Sequence, residues 1–145
     1  MDIKLSANFS LKELTRSYQA DRHGIINTPG PKEISSLQHL CRNILQPLRN
    51  HYAHPITVSS GYRCPELNRI VGGVTTSQHL RGEAADLVFP DLPTAINWMH
   101  FILHNCQFDQ MLLEQNQRTG ARWLHVSCRP DHSCNRHEIK IIQVK

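Results

Sequence analysis

The stretch Ser77-Gln-His-Leu-Arg-Gly-Glu-Ala-Ala-Asp86 places two potential metal ligands, His79 and Asp86, on either side of a tight bend. Gly82 permits that bend because glycine adopts backbone conformations that other residues avoid. Ala84 and Ala85 add little bulk, so the chain after the bend can pack closely beside another strand. The imidazole of His79 and the carboxylate of Asp86 are therefore expected to reach one cation.

A third ligand is predicted in the stretch Trp123-Leu-His-Val-Ser127. Side chains alternate between the two faces of a strand, so His125 points away from the face that carries Leu124 and Val126. Two imidazoles and one carboxylate suit Zn²⁺ at about 2.0–2.2 Å, and a fourth position left to water is typical of a catalytic zinc site. The alternative is that each residue, taken singly, is a surface or hydrogen-bonded histidine, since the chain has ten.

Further motifs accompany these residues in a fixed order, first Ser59-Ser-Gly-Tyr-Arg-Cys-Pro-Glu-Leu-Asn68 and then Val71-Gly-Gly-Val74. Together with the 77–86 stretch, they resemble the signature of zinc D-Ala-D-Ala carboxypeptidases and related phage endolysins, which belong with the Hedgehog-type metallopeptidases. The resemblance extends over residues 8–127. It implies a Hedgehog/DD-peptidase-like fold and assigns His79, Asp86 and His125 as the zinc ligands.

The same resemblance assigns substrate binding to Arg63 and Ser77. A planar guanidinium such as that of Arg63 can hold a peptide carboxylate or carbonyl through two parallel hydrogen bonds. The alternative for Arg63 is a structural salt bridge, with Glu66 as the candidate partner. The alternative for Ser77 is that it only closes a turn.

The general base is where this sequence departs from the family. Some relatives have a Glu three residues before the last ligand and others a His two residues before it, but this chain has Arg122 and Trp123 there. Glu114, at the end of a predicted strand that should pair with the strand of His125, is our candidate for the catalytic base. It could instead be a solvated strand-end carboxylate. Glu83 is a poorer candidate because alternation from Asp86 turns it to the opposite strand face.

The N-terminal half is predicted to be mainly helical. Ser10 and Glu13 form a capping box, which predicts a helix over residues 11–18. Apolar residues spaced by three and four predict the longest helix over residues 34–48, with Pro47 kinking or ending it. Residues 56–59 read as a strand that leads into a long loop of turns.

The C-terminal half is predicted to be mainly strand. Strands are expected at 84–89, 110–114, 122–127 and 139–144. Asp91 opens one helix between the first two, with its core face formed by Ala95, Trp98, Met99, Ile102 and Leu103. Because helices come first and paired strands follow, we predict an α+β fold with a mainly antiparallel sheet, as one domain over residues 1–145.

The formal net charge of +4 and the pI near 9.0 come from scattered basic residues rather than from a basic run, so a nucleic acid is not the expected partner. We expect no membrane span and no secretory signal, and hence a soluble protein that stays in the cytoplasm until it is released. The mildly basic surface would suit an anionic polymer such as peptidoglycan.

The five cysteines are expected to be reduced, although Cys128 and Cys134 could close a short disulfide after export. Cys128, His132, Cys134 and His137 form a metal-like cluster in sequence. Their irregular spacing around Pro130 favours a mobile loop over a structural zinc site.

The expected activity is zinc-dependent hydrolysis of amide bonds in peptidoglycan stem peptides, as a D-Ala carboxypeptidase or as an endopeptidase that cuts internal cross-links. The alternative is a zinc-bearing binding module of the Hedgehog-like fold without peptidase activity. The oligomeric state is not predicted by any sequence feature.

Overall fold

Seven strands arranged in two sheets form the frame of the protein in the computed structural model, which describes residues 2–144. In chain order they are β1 (Lys4–Ser6), β2 (Phe9–Ser10), β3 (Thr57–Ser60), β4 (Ala84–Val88), β5 (Gln110–Asn116), β6 (Arg122–Ser127) and β7 (Glu138–Val144). The first two strands pair with each other, and the other five form a sheet in the order β3-β4-β6-β5-β7. Neighbouring strands of the described residues are antiparallel except for β5 and β7.

Six α-helices of the described chain accompany the strands. They are α1 (Leu11–Thr15), α2 (Tyr18–Arg22), α3 (Pro31–Leu40), α4 (Gln46–Tyr52), α5 (Pro65–Ile70) and α6 (Leu92–Asn105). A π-helical turn (Cys41–Leu45) joins α3 to α4, and 3₁₀ turns form at Gln78–Arg81 and His132–Cys134. The predicted α+β class with a mainly antiparallel sheet is confirmed.

The first helix begins as predicted but ends early. The Ser10 hydroxyl accepts a hydrogen bond from the backbone N–H of Glu13, and the Glu13 carboxylate accepts one from Ser10, which is the expected capping box. The predicted single helix over 11–18 is wrong, because Ser17 caps a second helix by accepting a hydrogen bond from the N–H of Ala20. Two short helices therefore replace one.

The predicted long helix does not end at Pro47 but continues to Tyr52. In the π turn, the N–H of Gln46 bonds to the carbonyl of Cys41, one residue further back than in an α-helix. This wider turn accommodates a proline that has no N–H and whose ring would crowd an ordinary preceding turn. Ala53, in the left-handed conformation with φ of 54°, ends the helix.

The core lies between this long helix and one face of the large sheet. On the helical side it contains Leu37, Leu40, Ile44, Leu45 and Leu48, and on the sheet side Ala85, Leu87, Leu124 and Val126. Period-two alternation leaves the other face of the same strands to Asp86, His125 and Glu114. The apolar face thus anchors the sheet while the opposite face carries the polar candidates.

Two further details differ from the sequence prediction. Residues 65–70, predicted as part of a loop of turns, form helix α5, which starts with Pro65 at its first position. On α6, whose N-terminus is capped by Asp91 as predicted, Ala95, Trp98 and Ile102 are buried. Leu103 was predicted to face the core but is 45% exposed.

The five cysteines are free thiols, including Cys128 and Cys134. None of the helices within residues 2–144 combines the length and apolar character that crossing a bilayer requires.

A buried ion-pair cluster fixes the start of β5 to the segment before β7. The fully buried Asp109 carboxylate accepts hydrogen bonds from the Arg136 side chain at 2.7 and 3.0 Å and from the Arg136 backbone N–H at 2.7 Å. Arg129 Nε lies 3.1 Å from the same carboxylate. Burial alone would raise the pKa of Asp109, but the hydrogen bonds from Arg136 and the adjacent Arg129 guanidinium outweigh it and lower this pKa to about 2.

We therefore predict that Asp109→Asn destabilises the protein in a pH-dependent way. The folded state favours the charged carboxylate, so its contribution is complete above the unfolded pKa of about 4 and disappears as the pH falls through about 2. Urea unfolding at a series of pH values should show the advantage of the wild type over Asp109→Asn shrinking by roughly 2 kcal/mol between pH 5 and pH 2. The exposed Asp21→Asn change is the control, and an equal pH dependence in both variants would contradict the assignment.

Candidate metal centre

Three side chains from distant parts of the chain converge on the polar face of the sheet. His79 Nε2 lies 3.4 Å from Asp86 Oδ1, and His125 Nδ1 lies 3.0 Å from the same oxygen. One ligand atom from each residue lies within 4.8 Å of those of the other two, and all three residues are buried. The structure thus brings together the three residues predicted as metal ligands.

His79 is positioned by the 3₁₀ turn at Gln78–Arg81. Gly82 ends this turn in the left-handed conformation, with φ of 71°, and a Cβ there would lie 2.5 Å from the carbonyl oxygen of Glu33. His79 Nδ1 lies 2.7 Å from the carbonyl oxygen of Gly61, which can only accept a hydrogen bond. This contact fixes the proton on Nδ1 and leaves the lone pair of Nε2 facing Asp86.

Asp86 and His125 are positioned by strand pairing. They are direct partners in the antiparallel register of β4 and β6, so their side chains leave the same face side by side. His125 in turn pairs with Leu112 of β5, and Glu114 pairs with Trp123. The register of three strands therefore sets which side chains surround the centre.

The electrostatics favour the protonation states that bind a metal. Burial lowers the pKa of His79, against the attraction of the neighbouring Asp86. Burial alone would raise the pKa of Asp86, but the facing imidazoles of His79 and His125 outweigh it and lower this pKa. A neutral imidazole beside an ionised carboxylate is the state that metal coordination requires.

The donor set fits Zn²⁺. Ligand atoms at about 2.0–2.1 Å from a tetrahedral ion are separated by about 3.3 Å, close to the 3.0 and 3.4 Å found here. Within residues 2–144, no fourth His, Cys, Asp or Glu joins this ligand group. Two imidazoles and one carboxylate are the ligands of a site that keeps one position for water or substrate.

The centre lies on the wall of a cavity of about 710 Å³, which Arg63 also lines. Arg63 does not pair with Glu66, the partner considered from sequence. Its Nη2 lies 3.6 Å from Asp86 Oδ2, while its other nitrogens donate to Ser60 Oγ at 3.2 Å and to Asn68 Oδ1 at 3.3 Å. The guanidinium is therefore held in place beside the metal ligands.

Sequence reasoning missed the residues that orient Arg63, namely Ser60, Asn68 and Gly73. A Cβ at Gly73 would lie 2.1 Å from Asn68 Oδ1 and 3.1 Å from Arg63 Nη1. The glycine pair at 72–73 signalled only a turn. Its second member is also required because the Asn68 side chain packs directly against the backbone there.

Ser77 both caps a turn and borders the cavity. Its hydroxyl accepts a hydrogen bond from the backbone N–H of His79 at 3.2 Å, and Ser77 lines the cavity wall. The turn-closing alternative is thus present in the structure. It does not exclude substrate contact, which stays a prediction.

Glu114 lines the same cavity, within β5 rather than at its end, since the strand continues to Asn116. The indole Nε1–H of Trp123 donates a hydrogen bond to Glu114 Oε2. Burial raises the pKa of Glu114, with a smaller contribution from the negative charge of Asp86. Trp123 stands where some relatives have a His, and here it orients the candidate base.

Glu83, the weaker candidate, has a different environment. Its carboxylate accepts hydrogen bonds from Gln78 at 3.1 Å and from Arg81 at 3.2 Å. It is not among the residues that line the cavity. Of the two candidates for the base, Glu114 is therefore the one that lines the cavity beside the centre.

We predict that His79→Ala and His125→Ala each lose one equivalent of zinc per chain relative to the wild type, because two remaining ligands do not hold the ion. Elemental analysis of the purified proteins measures this directly. The exposed His54→Ala change is the control and should keep the zinc content of the wild type. An unchanged zinc content in both His79→Ala and His125→Ala would contradict the assignment of this metal centre.

Comparison with known protein families identifies one relationship. The sequence model of the Peptidase M15 family matches residues 7–127, which is most of the chain. No curated protein matches the chain significantly. Because the family match includes all three converging side chains together with Arg63 and Glu114, the chain belongs to the Peptidase M15 family.

Proposed function

We propose that the protein is a zinc peptidase that hydrolyses amide bonds in the peptide stems of peptidoglycan. The observation that carries this proposal is the convergence of His79, Asp86 and His125 on one cavity wall, with no fourth protein ligand among the described residues. Membership of the Peptidase M15 family supports a metallopeptidase. The D-Ala-containing substrate is supported by the sequence motifs alone.

The three ligands would hold Zn²⁺, which when bound polarises a peptide carbonyl and lowers the pKa of water. Glu114 accepts the proton of the attacking water and passes it to the leaving amine. Its raised pKa brings the carboxylate closer to the range in which a group both accepts and returns a proton near neutral pH. The Trp123 hydrogen bond holds one carboxylate oxygen and leaves the other to take the proton.

Arg63 binds the carboxylate of the substrate chain. Among residues 2–144, the Arg63 Nη2 atom has only the 3.6 Å contact with Asp86, which is too long for a good hydrogen bond. The N–H donors of Nη2 therefore remain available to a ligand. Because this nitrogen lies beside Asp86, a substrate carboxylate bound to it would lie close to the scissile bond. This favours release of a terminal D-Ala over cleavage far from a chain end.

Ser77 adds a hydroxyl to the same wall of the cavity. We propose that it contacts the bound stem peptide. The substrate polymer lies outside the cytoplasmic membrane, so we propose that the protein acts in the periplasm or the cell wall.

We predict that Glu114→Gln lowers kcat by about 10²- to 10⁴-fold, the usual contribution of a general base, while zinc content stays unchanged. Hydrolysis of purified stem peptides measures the rate, and elemental analysis measures the zinc. Glu66→Gln, at an exposed position, is the matched control and should keep full activity. If Glu114→Gln kept full activity, the general base would be another residue. If the zinc-loaded wild type bound stem peptides without cleaving them, the alternative of a binding module would be favoured.

We predict that Arg63→Lys raises KM for a stem peptide with a free C-terminal carboxylate and lowers kcat/KM by about 10- to 100-fold. A lysine cannot form two parallel hydrogen bonds, and a hydrogen bond to a charged group contributes about 1.5–3 kcal/mol. The matched substrate is the same peptide with an amidated C-terminus. Wild type and variant should both cleave this amidated peptide poorly and at similar rates. Equal loss on both peptides would show that Arg63 does not read the carboxylate.

A further inference from the structure

We propose that His39, Cys128 and His132 form a second zinc site, separate from the His79 centre, where helix α3 meets the end of strand β6. The three residues come from three different segments, and one ligand atom from each lies within 4.8 Å of the other two. The sequence cluster Cys128, His132, Cys134 and His137 was interpreted as a loop without metal. The structure adds His39 from α3 and leaves Cys134 and His137 outside the group.

The two imidazoles meet through nitrogens that suit a shared cation. His39 Nε2 lies 2.9 Å from His132 Nε2, and two nitrogens on a tetrahedral zinc ion are about 3.3 Å apart. A shift of a few tenths of an ångström would therefore admit the ion. His39 Nδ1 is buried and has no hydrogen-bond partner among the described residues.

This environment differs from that of an ordinary buried histidine. His79, for example, has its Nδ1 fixed by a backbone carbonyl, whereas the one partner of the His39 ring nitrogens among the described residues is another imidazole. In the part of the chain that the structure describes, Cys128 Sγ has only weak polar contacts, at 3.7 Å with the Arg129 carbonyl and 4.0 Å with Asn135 Nδ2. A thiolate and two imidazoles are typical zinc ligands.

The segments that carry the ligands are already held in place. The N–H of Cys128 donates to the Glu83 carbonyl at 3.0 Å, and the N–H of Arg129 donates to Asn135 Oδ1 at 2.9 Å. Asp131 caps the 3₁₀ turn that begins with His132, accepting a hydrogen bond from the N–H of Ser133. The site therefore needs little ordering when a metal binds.

A zinc ion there would connect α3 to the chain three residues after His125. An ion that binds only the folded state stabilises that state. Binding of an ion at this second site would therefore add to the stability of the fold, and it does not depend on the proposed hydrolysis.

Cobalt separates the two sites because only the second one contains sulfur. Metal-free protein titrated with Co²⁺ should develop a thiolate-to-metal charge-transfer band in the near ultraviolet, in the wild type and equally in His79→Ala. The band should disappear in Cys128→Ser and remain in Cys134→Ser, the matched control at an exposed thiol. A wild type without the band, or a band that survives in Cys128→Ser, would overturn the proposal.

Cys128 is fully buried, so its variant must first be shown to fold, by circular dichroism. If the Cys128 variant does not fold, His39→Gln and His132→Gln test the proposal instead, because both histidines are only half-buried. Each should weaken Co²⁺ binding at the sulfur-containing site at least tenfold, the loss that even outer-shell changes cause, and should reduce zinc from two equivalents to one. Undiminished zinc in both variants would overturn the second site and leave the His79 centre, tested by His79→Ala, unaffected.

Discussion

The antiparallel register of β4 and β6 is the constraint on which the rest of the site depends. It places Asp86 directly opposite His125, and their side chains meet at 3.0 Å. A slip of one residue would turn one of the two into the core and expose its apolar neighbours. The core residues Leu87 and Leu124, which pair on the other face, therefore help to hold the polar pair in register.

The position of His79 beside this pair depends on contacts with helix α3 as well as on the sheet. The turn that carries His79 ends at Gly82, where an added Cβ would clash with the backbone of Glu33 on α3 and crowd the side chain of Leu37. The same helix carries His39, whose ring meets His132 beyond β6. The long helix therefore contributes to both candidate metal sites, and its π turn lets it continue past Pro47 to pack along the sheet.

Sequence alone predicted what depends on local pattern. Period-two alternation separated His125 from Leu124, and the Ser10–Glu13 capping box and the Gly82 bend were correctly located. What it missed depends on contacts between distant segments. The bond between Trp123 and Glu114 follows from the register of β5 with β6, and His39 lies more than ninety positions from His132, so neither contact leaves a spacing signal. The early end of α1 is the exception, because Ser17 is an N-cap residue type that local sequence could have revealed.

Asp86 contacts both the candidate metal ligands and the proposed substrate-binding residue Arg63. Its Oδ1 faces the imidazoles of His79 and His125, and its Oδ2 faces the guanidinium of Arg63. One carboxylate thus lies between the candidate metal ligands and the guanidinium that we propose to bind the substrate carboxylate. Because Arg63 also donates hydrogen bonds to Ser60 and Asn68, contacts within the protein set the distance between its guanidinium and the metal ligands before a substrate binds. A rigid spacing of this kind selects for the position of the scissile bond relative to a carboxylate, and it does so before any chemistry begins.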